Sequence, residues 1–386
     1  MSTKKKMTKA QRKRRKIIIF AVELILLIVL LAGVFIWSKL NKIEKHELKK
    51  TDVKVNELDD ATKNLLKGYT NIAIFGLDNR SNGKLSNGNS DVIMIASINN
   101  DNKQVKLVSV YRDTMLNIGD DKYNKSNAAY ARGGVEAAID MLNTNLDLDI
   151  SQYVVVDFNA VSDAIDLLGG VPITVQDDEV ELLNSYAETT GDVTGKKIHK
   201  IDGPGTYTLD GTQATGYARI RYTTGDDYRR TERQRTVVEE MVKKAKASDL
   251  GTLNKIIDKV CTEIDTSMSN TTIIGLASNL MKYDLSGTHG WPFELNNKDN
   301  VGKVGDLVVA TDLATNVKEL HQYLFDDANY TPSNTVQAYS KKIVSLTGLT
   351  ADDAARKDNP FKDASKDKAS ETATPKATSK TKTTKK

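Results

Sequence analysis

An uninterrupted apolar run near the N-terminus sets the first limit on the structure of this protein. Residues 17–37 read IIIFAVELILLIVLLAGVFIW, which is long enough for a membrane-spanning helix of roughly 20 residues. A cleaved signal peptide would have an apolar core of only about 7–15 residues, and the sequence after Trp37 is a poor cleavage site. We therefore predict a transmembrane helix at 17–37, with the remaining chain on one side of a membrane.

The basic residues before this run predict its orientation. Residues 1–16 contain nine lysines and arginines and no acid, whereas 46 basic and 50 acidic residues follow Trp37. By the positive-inside rule, residues 1–16 are a cytoplasmic tail and the chain after Trp37 is extracellular, so the protein is single-pass in the cell membrane. A basic block beside a membrane span is typical of a topology signal, and we predict no nucleic-acid partner.

Cysteine and histidine usage excludes several classes of site. Cys261 is the single cysteine, so an intrachain disulfide is impossible, and the four histidines have no metal-ligand spacing. HExxH, CxxC and GxSxG motifs are absent from the sequence, which argues against zinc and serine hydrolases.

Alternating β-rich and helical patterns predict one α/β or α+β domain with a central sheet. We expect a linker or stalk at 38–69, the domain at 70–349, and a disordered tail at 350–386, where apolar residues become rare. The predicted strands are 71–76, 92–98, 105–110 and 153–158, and the predicted helices are 134–146, 160–168, 231–247, 271–283 and 314–325.

The first three predicted strands bring two carboxylates together. If they form an antiparallel meander, Asp78, Asp91 and Arg112 lie at the same end of the sheet. Mg²⁺ takes one or two protein carboxylates together with phosphate oxygens, so Asp78 and Asp91 are candidate metal ligands. The alternative is that both residues are turn residues or helix caps.

A second candidate site is the segment 217–236, YARIRYTTGDDYRRTERQRT. A capped short helix is expected from Asp210, and if YARIRY is extended, Arg219 and Arg221 point the same way. A helix should begin near Asp227, and its apolar stripe at Val238, Met241 and Ala245 continues backwards to charged positions. The segment contains Arg219, Arg221, Arg229, Arg230, Arg233 and Arg235, with Asp227 and Gln234 on the inward face.

Converging guanidinium groups favour a phosphate site, because their planar forks match phosphate oxygens. The alternative is an internal ion-pair network, with Arg230 on Asp227 and Arg233 on Glu232.

Six stretches, in this order, resemble the LytR-CpsA-Psr family of cell-wall phosphotransferases. The resemblance covers about residues 70–247, and a looser similarity continues through TDLATNVKELHQYLF. The matching stretches are FGLDNR, SDVIMIASI, LVSVYRDT, NKSNAAYARGG, VVVDFNAVSDAIDLLGGV and LDGTQATGYARIRYTTGDDYRRTERQR.

The resemblance implies a membrane-anchored enzyme on the outer face of a cell with a Gram-positive type of envelope. Such an enzyme moves a glycopolymer (teichoic acid, capsule or another secondary wall polymer) from an undecaprenyl pyrophosphate carrier to peptidoglycan. The implied fold is an α/β/α-like sandwich with a central mixed sheet and an apolar tunnel for the lipid tail.

Site roles are implied in the same way. Asp78 and Asp91 would hold Mg²⁺, and Asp227 matches the candidate general base. Lys125 and Asn127 lie in a matching loop. Pyrophosphate would be bound by Arg80, Arg112, Arg219, Arg221, Arg230 and Gln234, among which Arg112, Arg219 and Arg221 would also act in catalysis.

Two departures from the family pattern are visible. Tyr111 stands where the family commonly has proline before the Arg-Asp pair, and the segment between Gly170 and Gly211 is poorly matched. Two alternatives to a transferase remain open, namely a non-catalytic regulator that binds polyprenyl phosphate and a hydrolase of the same pyrophosphate lipid.

Overall fold

The computed structural model describes residues 44–45, 48, 51–77, 85, 88–221, 226–260 and 263–357. The predicted membrane span and residues 358–386 of the predicted tail lie outside these ranges. Within them, no helix combines the length and apolar character needed to cross a bilayer.

Strands and helices alternate along the described chain. The strands are β1 (Glu44–Lys45), β2 (Tyr69–Leu77), β3 (Ser90–Asn99), β4 (Gln104–Val110), β5 (Met115–Asn117), β6 (Tyr123–Lys125), β7 (Gln152–Val156), β8 (Val171–Val175), β9 (Gly205–Leu209), β10 (Ile264–Thr266), β11 (Asp284–Trp291), β12 (Glu294–Val301), β13 (Gly305–Ala310) and β14 (Arg356–Lys357). The α-helices are α1 (Asp60–Leu66), α2 (Ala128–Leu146), α3 (Phe158–Leu167), α4 (Val180–Thr194), α5 (Gly211–Arg219), α6 (Asp226–Ala247), α7 (Leu250–Val260), α8 (Asn270–Ser278), α9 (Leu313–Phe325) and α10 (Asn334–Thr347).

The largest sheet in the described chain is mixed and has the order β1-β10-β7-β2-β3-β4-β11. Strands β2, β3 and β4 form the predicted antiparallel meander, with Gly76 opposite Val92 and Met94 opposite Ser109. Strand β7 runs parallel to β2. The α/β class with a central mixed sheet is therefore confirmed. The meander also places the end of β2, the start of β3 and the end of β4 at the same end of the sheet.

Successive side chains along β2 point to opposite faces of this sheet. Ala73 and Phe75 belong to the main hydrophobic core, which includes residues of α2, α9 and α10. Ile74 faces the opposite side, where α3, α6 and α7 enclose a cavity with the sheet. The sheet thus has helices on both faces, and the cavity lies on one of them.

The predicted elements differ from the structure where a capping interaction decides the boundary. The strand expected at 153–158 ends at Val156, because Asp157 caps α3 by accepting a hydrogen bond from the Ala160 amide at 2.9 Å. The helix expected at 271–283 ends at Ser278 and is followed by a short 3₁₀ turn. Helix α2 begins at Ala128, before the predicted start, with non-helical backbone at Gly134, where φ is +68°.

The YARIRY segment is helical through Arg219, so the condition under which Arg219 and Arg221 would point the same way is not met. Asp210 and Gln213 form a capping box, and the helix that they begin continues to Arg219. At Ile220 the backbone turns to an extended conformation, with φ −54° and ψ 127°. The local capping chemistry and the burial of Tyr217 therefore override the polar–apolar alternation.

The folded part extends beyond both predicted domain ends. Val53 and Leu66, expected in a linker, are buried in the main core. Beyond residue 349, a 3₁₀ turn spans Ala351–Asp353 and β14 pairs with the start of β12. The expectation that residues 350–357 are part of a disordered tail is therefore corrected.

Candidate active site

A cavity of about 690 Å³ lies between the central sheet and helices α3, α6 and α7. Helix α6 lines it along one face, from Arg230 and Gln234 at one end to Ala245 at the other. These ends are roughly 22 Å apart at 1.5 Å per helical residue. The apolar lining includes Ile74, Met94, Val161, Leu168, Val237, Val238, Met241, Leu253, Ile256 and Leu280. The predicted change from charged to apolar along the inward face of this helix is confirmed.

Asp91 lies at the centre of the charged end of this cavity. Its Oδ1 accepts a hydrogen bond from Arg112 Nη1 at 2.7 Å, and its Oδ2 accepts one from Arg221 Nη2 at 3.3 Å. Arg230 Nη2 donates to the Asp91 backbone carbonyl at 2.8 Å. Three arginines, each more than 20 residues from Asp91 in the sequence, thus contact this one aspartate beside the cavity.

Asp227 lies between two of these arginines. Its Oδ1 is 3.5 Å from Arg112 Nε and 3.3 Å from Arg230 Nη1. Its Oδ2 is buried and has no hydrogen-bond partner in the described structure, and the same is true of Nε of both arginines. Buried polar atoms without partners are costly, so this cluster is suited to receive a polar ligand.

Charge and burial shift the pKa values in this cluster. Burial alone raises the pKa of the Asp91 carboxyl, but Arg230, Arg112 and Arg221 outweigh it and hold the pKa below its ordinary value. Burial lowers the pKa of Arg230. The pKa of Arg112 is raised, because Asp227, Asp91 and Asp113 together outweigh its burial. Asp91 is therefore an anion at neutral pH, and a further anion would favour the buried charge on Arg230.

Arg219 points away from Arg221, contrary to the expectation that the two share a direction. Its Nη1 donates to the Thr189 and Thr190 hydroxyls at 3.2 and 2.8 Å. Its guanidinium carbon lies 4.5 Å from the centroid of the Phe158 ring. The helical turn through Arg219 explains the difference, because the backbone leaves the helix only at Ile220. Both arginines nevertheless line the same cavity.

The remaining predicted residues of the described chain lie close to this cluster. Gln234 is buried and donates from Nε2 to the Ala218 carbonyl at 3.4 Å. Lys125 pairs with Asp113 at 2.9 Å, and the Asn127 amide donates to the Arg112 carbonyl at 3.1 Å.

Asp78 and Arg80 lie outside the described residues, so the predicted Asp78–Asp91 pair stays a prediction. The described ranges contain no group of three or more histidine, cysteine, aspartate or glutamate residues that could hold a metal ion. The carboxylate of Asp91 is a hard oxygen donor of the type that Mg²⁺ prefers, and this ion uses few protein ligands when phosphate is present.

The alternative of an internal ion-pair network is true for part of the arginine segment. Arg230 pairs with Asp227 as considered, whereas Arg233 Nε donates to Glu179 Oε1 at 2.7 Å. Arg229 is also bonded to Glu179, at 3.2 Å. Sequence reasoning missed Glu179, Thr189, Thr190 and Phe158. The first three lie in the poorly matched segment, where no motif marks them.

Comparison with known proteins identifies the family of this chain. The model of the LytR_cpsA_psr family matches residues 32–321. The polyisoprenyl-teichoic acid–peptidoglycan teichoic acid transferase TagU of Enterococcus faecalis is 31% identical over 249 residues, which are 64% of this chain and 77% of that protein. Biofilm regulatory protein A of Streptococcus mutans is 32% identical over 216 residues, 52% of this chain and 51% of that protein.

A solved structure has a similar fold. A protein of Streptococcus agalactiae superimposes with a TM-score of 0.57 at 22% identity, over 72% of this chain and 95% of that one. Since the family model covers most of the chain, this protein belongs to the LytR-CpsA-Psr family.

Proposed function

We propose that this protein transfers a glycopolymer from an undecaprenyl pyrophosphate carrier to a peptidoglycan hydroxyl during cell-wall assembly. The observation that carries the proposal is the apolar cavity that ends at a cluster of arginines and carboxylates. This arrangement fits a ligand with a long hydrocarbon tail and a polyanionic head. The name of the transferase relative in Enterococcus faecalis supports the same reaction.

The cavity is suited to the polyisoprenyl tail. Its lining is aliphatic along the half of α6 that begins at Val237. Each methylene buried in such an environment contributes about 0.8 kcal/mol. A tail of many carbons would therefore supply much of the affinity, while the arginines fix the position of the head.

The head would be bound by arginines that now contact carboxylates. Arg112, Arg221 and Arg230 converge on Asp91, and guanidinium groups bind phosphate oxygens in the same bidentate manner as carboxylates. Arg219 also lines the cavity, and we propose that Arg80 and Gln234 complete the pyrophosphate site. These residues would stabilise the negative charge that develops on the transferred phosphate and on the leaving phosphate.

Asp227 is suited to be the general base. Its Oδ2 has no hydrogen-bond partner in the described structure, and the neighbouring Arg112 and Arg230 would bind the phosphate beside it. In the proposed step, this carboxylate takes the proton from the acceptor hydroxyl. The hydroxyl oxygen then bonds to the glycan-bearing phosphorus, the pyrophosphate P–O bond breaks, and undecaprenyl phosphate leaves.

Asp91, together with Asp78, would hold Mg²⁺ on the pyrophosphate. When bound, the metal would supply positive charge to the phosphate oxygens. With Asp91 serving as a metal ligand, Arg112 and Arg221, which contact it in the structure, would be available to phosphate oxygens.

The proposal includes a location. Residues 1–16 would lie in the cytoplasm, residues 17–37 would span the cell membrane, and the catalytic domain would face the wall. Undecaprenyl carriers are membrane lipids, so a tethered domain would meet its substrate at the bilayer.

A non-catalytic regulator is the second candidate, because one relative is named as a biofilm regulatory protein. A regulator that only binds polyprenyl phosphates needs the cavity and the arginines, but it does not need Asp227. Because Asp227 Oδ2 is buried without a hydrogen-bond partner among the described residues, the transferase is favoured.

The test uses the full chain in detergent with Mg²⁺, an undecaprenyl-pyrophosphate-linked glycan and peptidoglycan oligomers. Mass spectrometry should detect a glycan joined to the oligomer through a phosphodiester. Release of glycan phosphate without transfer would instead indicate a hydrolase. Recovery of intact lipid, alongside an active control transferase, would indicate the regulator.

A further inference from the structure

Glu179 is a buried carboxylate that the proposed reaction does not use. It ends the 3₁₀ turn Asp177–Glu179 just before α4, and its Oε2 accepts a hydrogen bond from the Gln176 amide at 2.9 Å. Its Oε1 accepts from Arg233 Nε at 2.7 Å and from Arg229 Nη2 at 3.2 Å. A buried charge is stable only when it is paired in this way.

Arg233 connects this carboxylate to the phosphate-binding segment. Its side chain is buried, and its Nη1 donates to the Ile220 carbonyl at 3.2 Å. Ile220 lies between Arg219 and Arg221, where α5 ends and the backbone becomes extended. Carbonyls at a helix C-terminus lack intrahelical donors, so Arg233 supplies the donor that fixes this turn.

The Ile220 turn determines where the two neighbouring arginines point. Arg219, before the turn, reaches Thr190 and the Phe158 ring, whereas Arg221, after it, reaches Asp91. A different backbone direction at Ile220 would move Arg221 away from Asp91. Glu179 and Arg233 do not line the cavity themselves, so their effect on the site would pass through Ile220.

On helix α6, the residues that bind Glu179 and the residues that line the cavity are offset by one position in the sequence. Arg229 and Arg233 are four residues apart and share Glu179, whereas Arg230 and Gln234 are four residues apart and face the cavity. Residues at this spacing lie on one face of a helix. The arginine segment therefore has a ligand-facing pair and a structural pair.

We propose that Glu179 is a positioning residue for transfer, acting through Arg233 and the Ile220 carbonyl to set the spacing between Arg219 and Arg221. This inference rests on the proposed function of the same site. It assigns a role to the poorly matched segment between Gly170 and Gly211, which supplies Glu179.

The test compares Glu179→Gln and Arg233→Lys with wild type, using the full chain in detergent. Glutamine keeps the shape of glutamate but not its charge, and lysine cannot contact Glu179 and Ile220 with one planar group. Both variants should lower kcat for transfer by about 10- to 100-fold, because small displacements of catalytic groups have effects of that size. KM for the lipid should rise by a smaller factor than kcat falls, because misplaced arginines lose more of their interaction with the charge that develops in the transition state than with the bound pyrophosphate.

Asp178→Asn is the matched control. Asp178 pairs with Arg229 Nη1 at 3.1 Å and is itself exposed, and this variant should retain wild-type kcat. Rates are expressed per folded molecule, counted by thermal unfolding, so that a purely structural role would leave kcat unchanged. Wild-type kcat in both folded variants would overturn the inference.

A second measurement separates this inference from the proposed function. If wild type binds inorganic pyrophosphate but performs no transfer, the proposed function fails. The affinity of the variants for inorganic pyrophosphate then tests whether Glu179 positions the arginines. A loss of about fivefold or more in pyrophosphate affinity in either variant, measured by calorimetry, would support the role of Glu179. Equal affinity in both variants would contradict it.

Discussion

At the residue scale, the site is a set of arginines whose charges are balanced by a few aspartates. Asp91 contacts Arg112 and Arg221, and Asp227 lies between Arg112 and Arg230. Without these carboxylates the guanidinium groups would repel one another in a partly buried place. A phosphate-bearing ligand can replace them because it offers the same oxygen geometry.

Arg221→Ala and Arg219→Ala should each lower turnover by about 10²-fold or more, the size of loss seen when one donor to a transition state is removed. The rate of glycan transfer to peptidoglycan oligomers is the measurement. Arg132→Ala is the control, because Arg132 pairs with the exposed Asp120 and does not line the cavity. Near-normal transfer by both folded variants would contradict the assignment.

The proposed metal site gives a second prediction at this scale. In the double variant Asp78→Ala with Asp91→Ala, Mg²⁺ should no longer increase the affinity for inorganic pyrophosphate, because both proposed ligands are gone. Calorimetric titrations with and without Mg²⁺ measure this. The Asp120→Ala protein should keep the wild-type Mg²⁺ effect, and an unchanged effect in the double variant would exclude this site.

At the scale of single elements, helix α6 lines the cavity, whereas helix α9 packs in the main hydrophobic core. Helix α6 carries the site at its N-terminal end and lines the cavity beyond it. Helix α9 packs in the main core and carries His321, whose Nε2 donates to the Leu146 carbonyl at 3.0 Å. The His321 ring is stacked on Tyr330 at 3.6 Å, and its Nδ1 is buried with no hydrogen-bond partner in the described structure.

This environment predicts a pH dependence of stability. Burial lowers the pKa of His321 to about 4, below its ordinary value of 6.5. The unfolded chain therefore binds a proton between these pH values that the folded chain excludes. The contribution of His321 is complete above about pH 6.5 and falls as the pH drops toward 4, by up to about 1.4 kcal/mol per pH unit.

Urea unfolding of wild type and His321→Gln at several pH values tests this dependence. Glutamine can still donate to the Leu146 carbonyl but does not titrate, so its free energy of unfolding should fall less between pH 6.5 and 4.5. Parallel curves for the two proteins would show that His321 is not responsible.

At the scale of the whole molecule, the sheet and helices α3 to α7 line a space that no single element forms. The cavity joins Ile74 of β2, Val161 of α3, Met241 of α6 and Ile256 of α7. Because it is apolar and about 690 Å³ in volume, affinity should increase with the length of an isoprenoid tail.

Val238→Trp should remove most of this increase. The larger side chain would occupy space in the middle of the cavity, so long-chain polyprenyl pyrophosphates should lose about tenfold or more in affinity, whereas inorganic pyrophosphate should bind as before. Competition binding with a series of chain lengths measures both effects. An exposed substitution, Leu250→Trp, serves as the control, and equal losses for all ligands would indicate general damage to the fold.

Much of the local structure could be predicted from sequence because short-range rules decide it. The meander β2-β3-β4, the capping box at Asp210 and the charged-to-apolar face of α6 all follow from patterns within a few residues. At YARIRY, polar–apolar alternation and helix capping favour different conformations, so the sequence left the extended form as a condition. The structure has a helix as far as Arg219, in which Tyr217 is buried.

The family, the α/β class and the concentration of arginines beside an apolar helix face follow from patterns in the amino-acid sequence. Which arginines face the cavity and which are paired internally depends on the three-dimensional packing. Glu179 and Arg233 are 54 residues apart, and Asp91 and Arg221 are 130 apart. Such contacts depend on how whole elements pack, and burial of the surrounding apolar surface, rather than any local pattern, determines that packing.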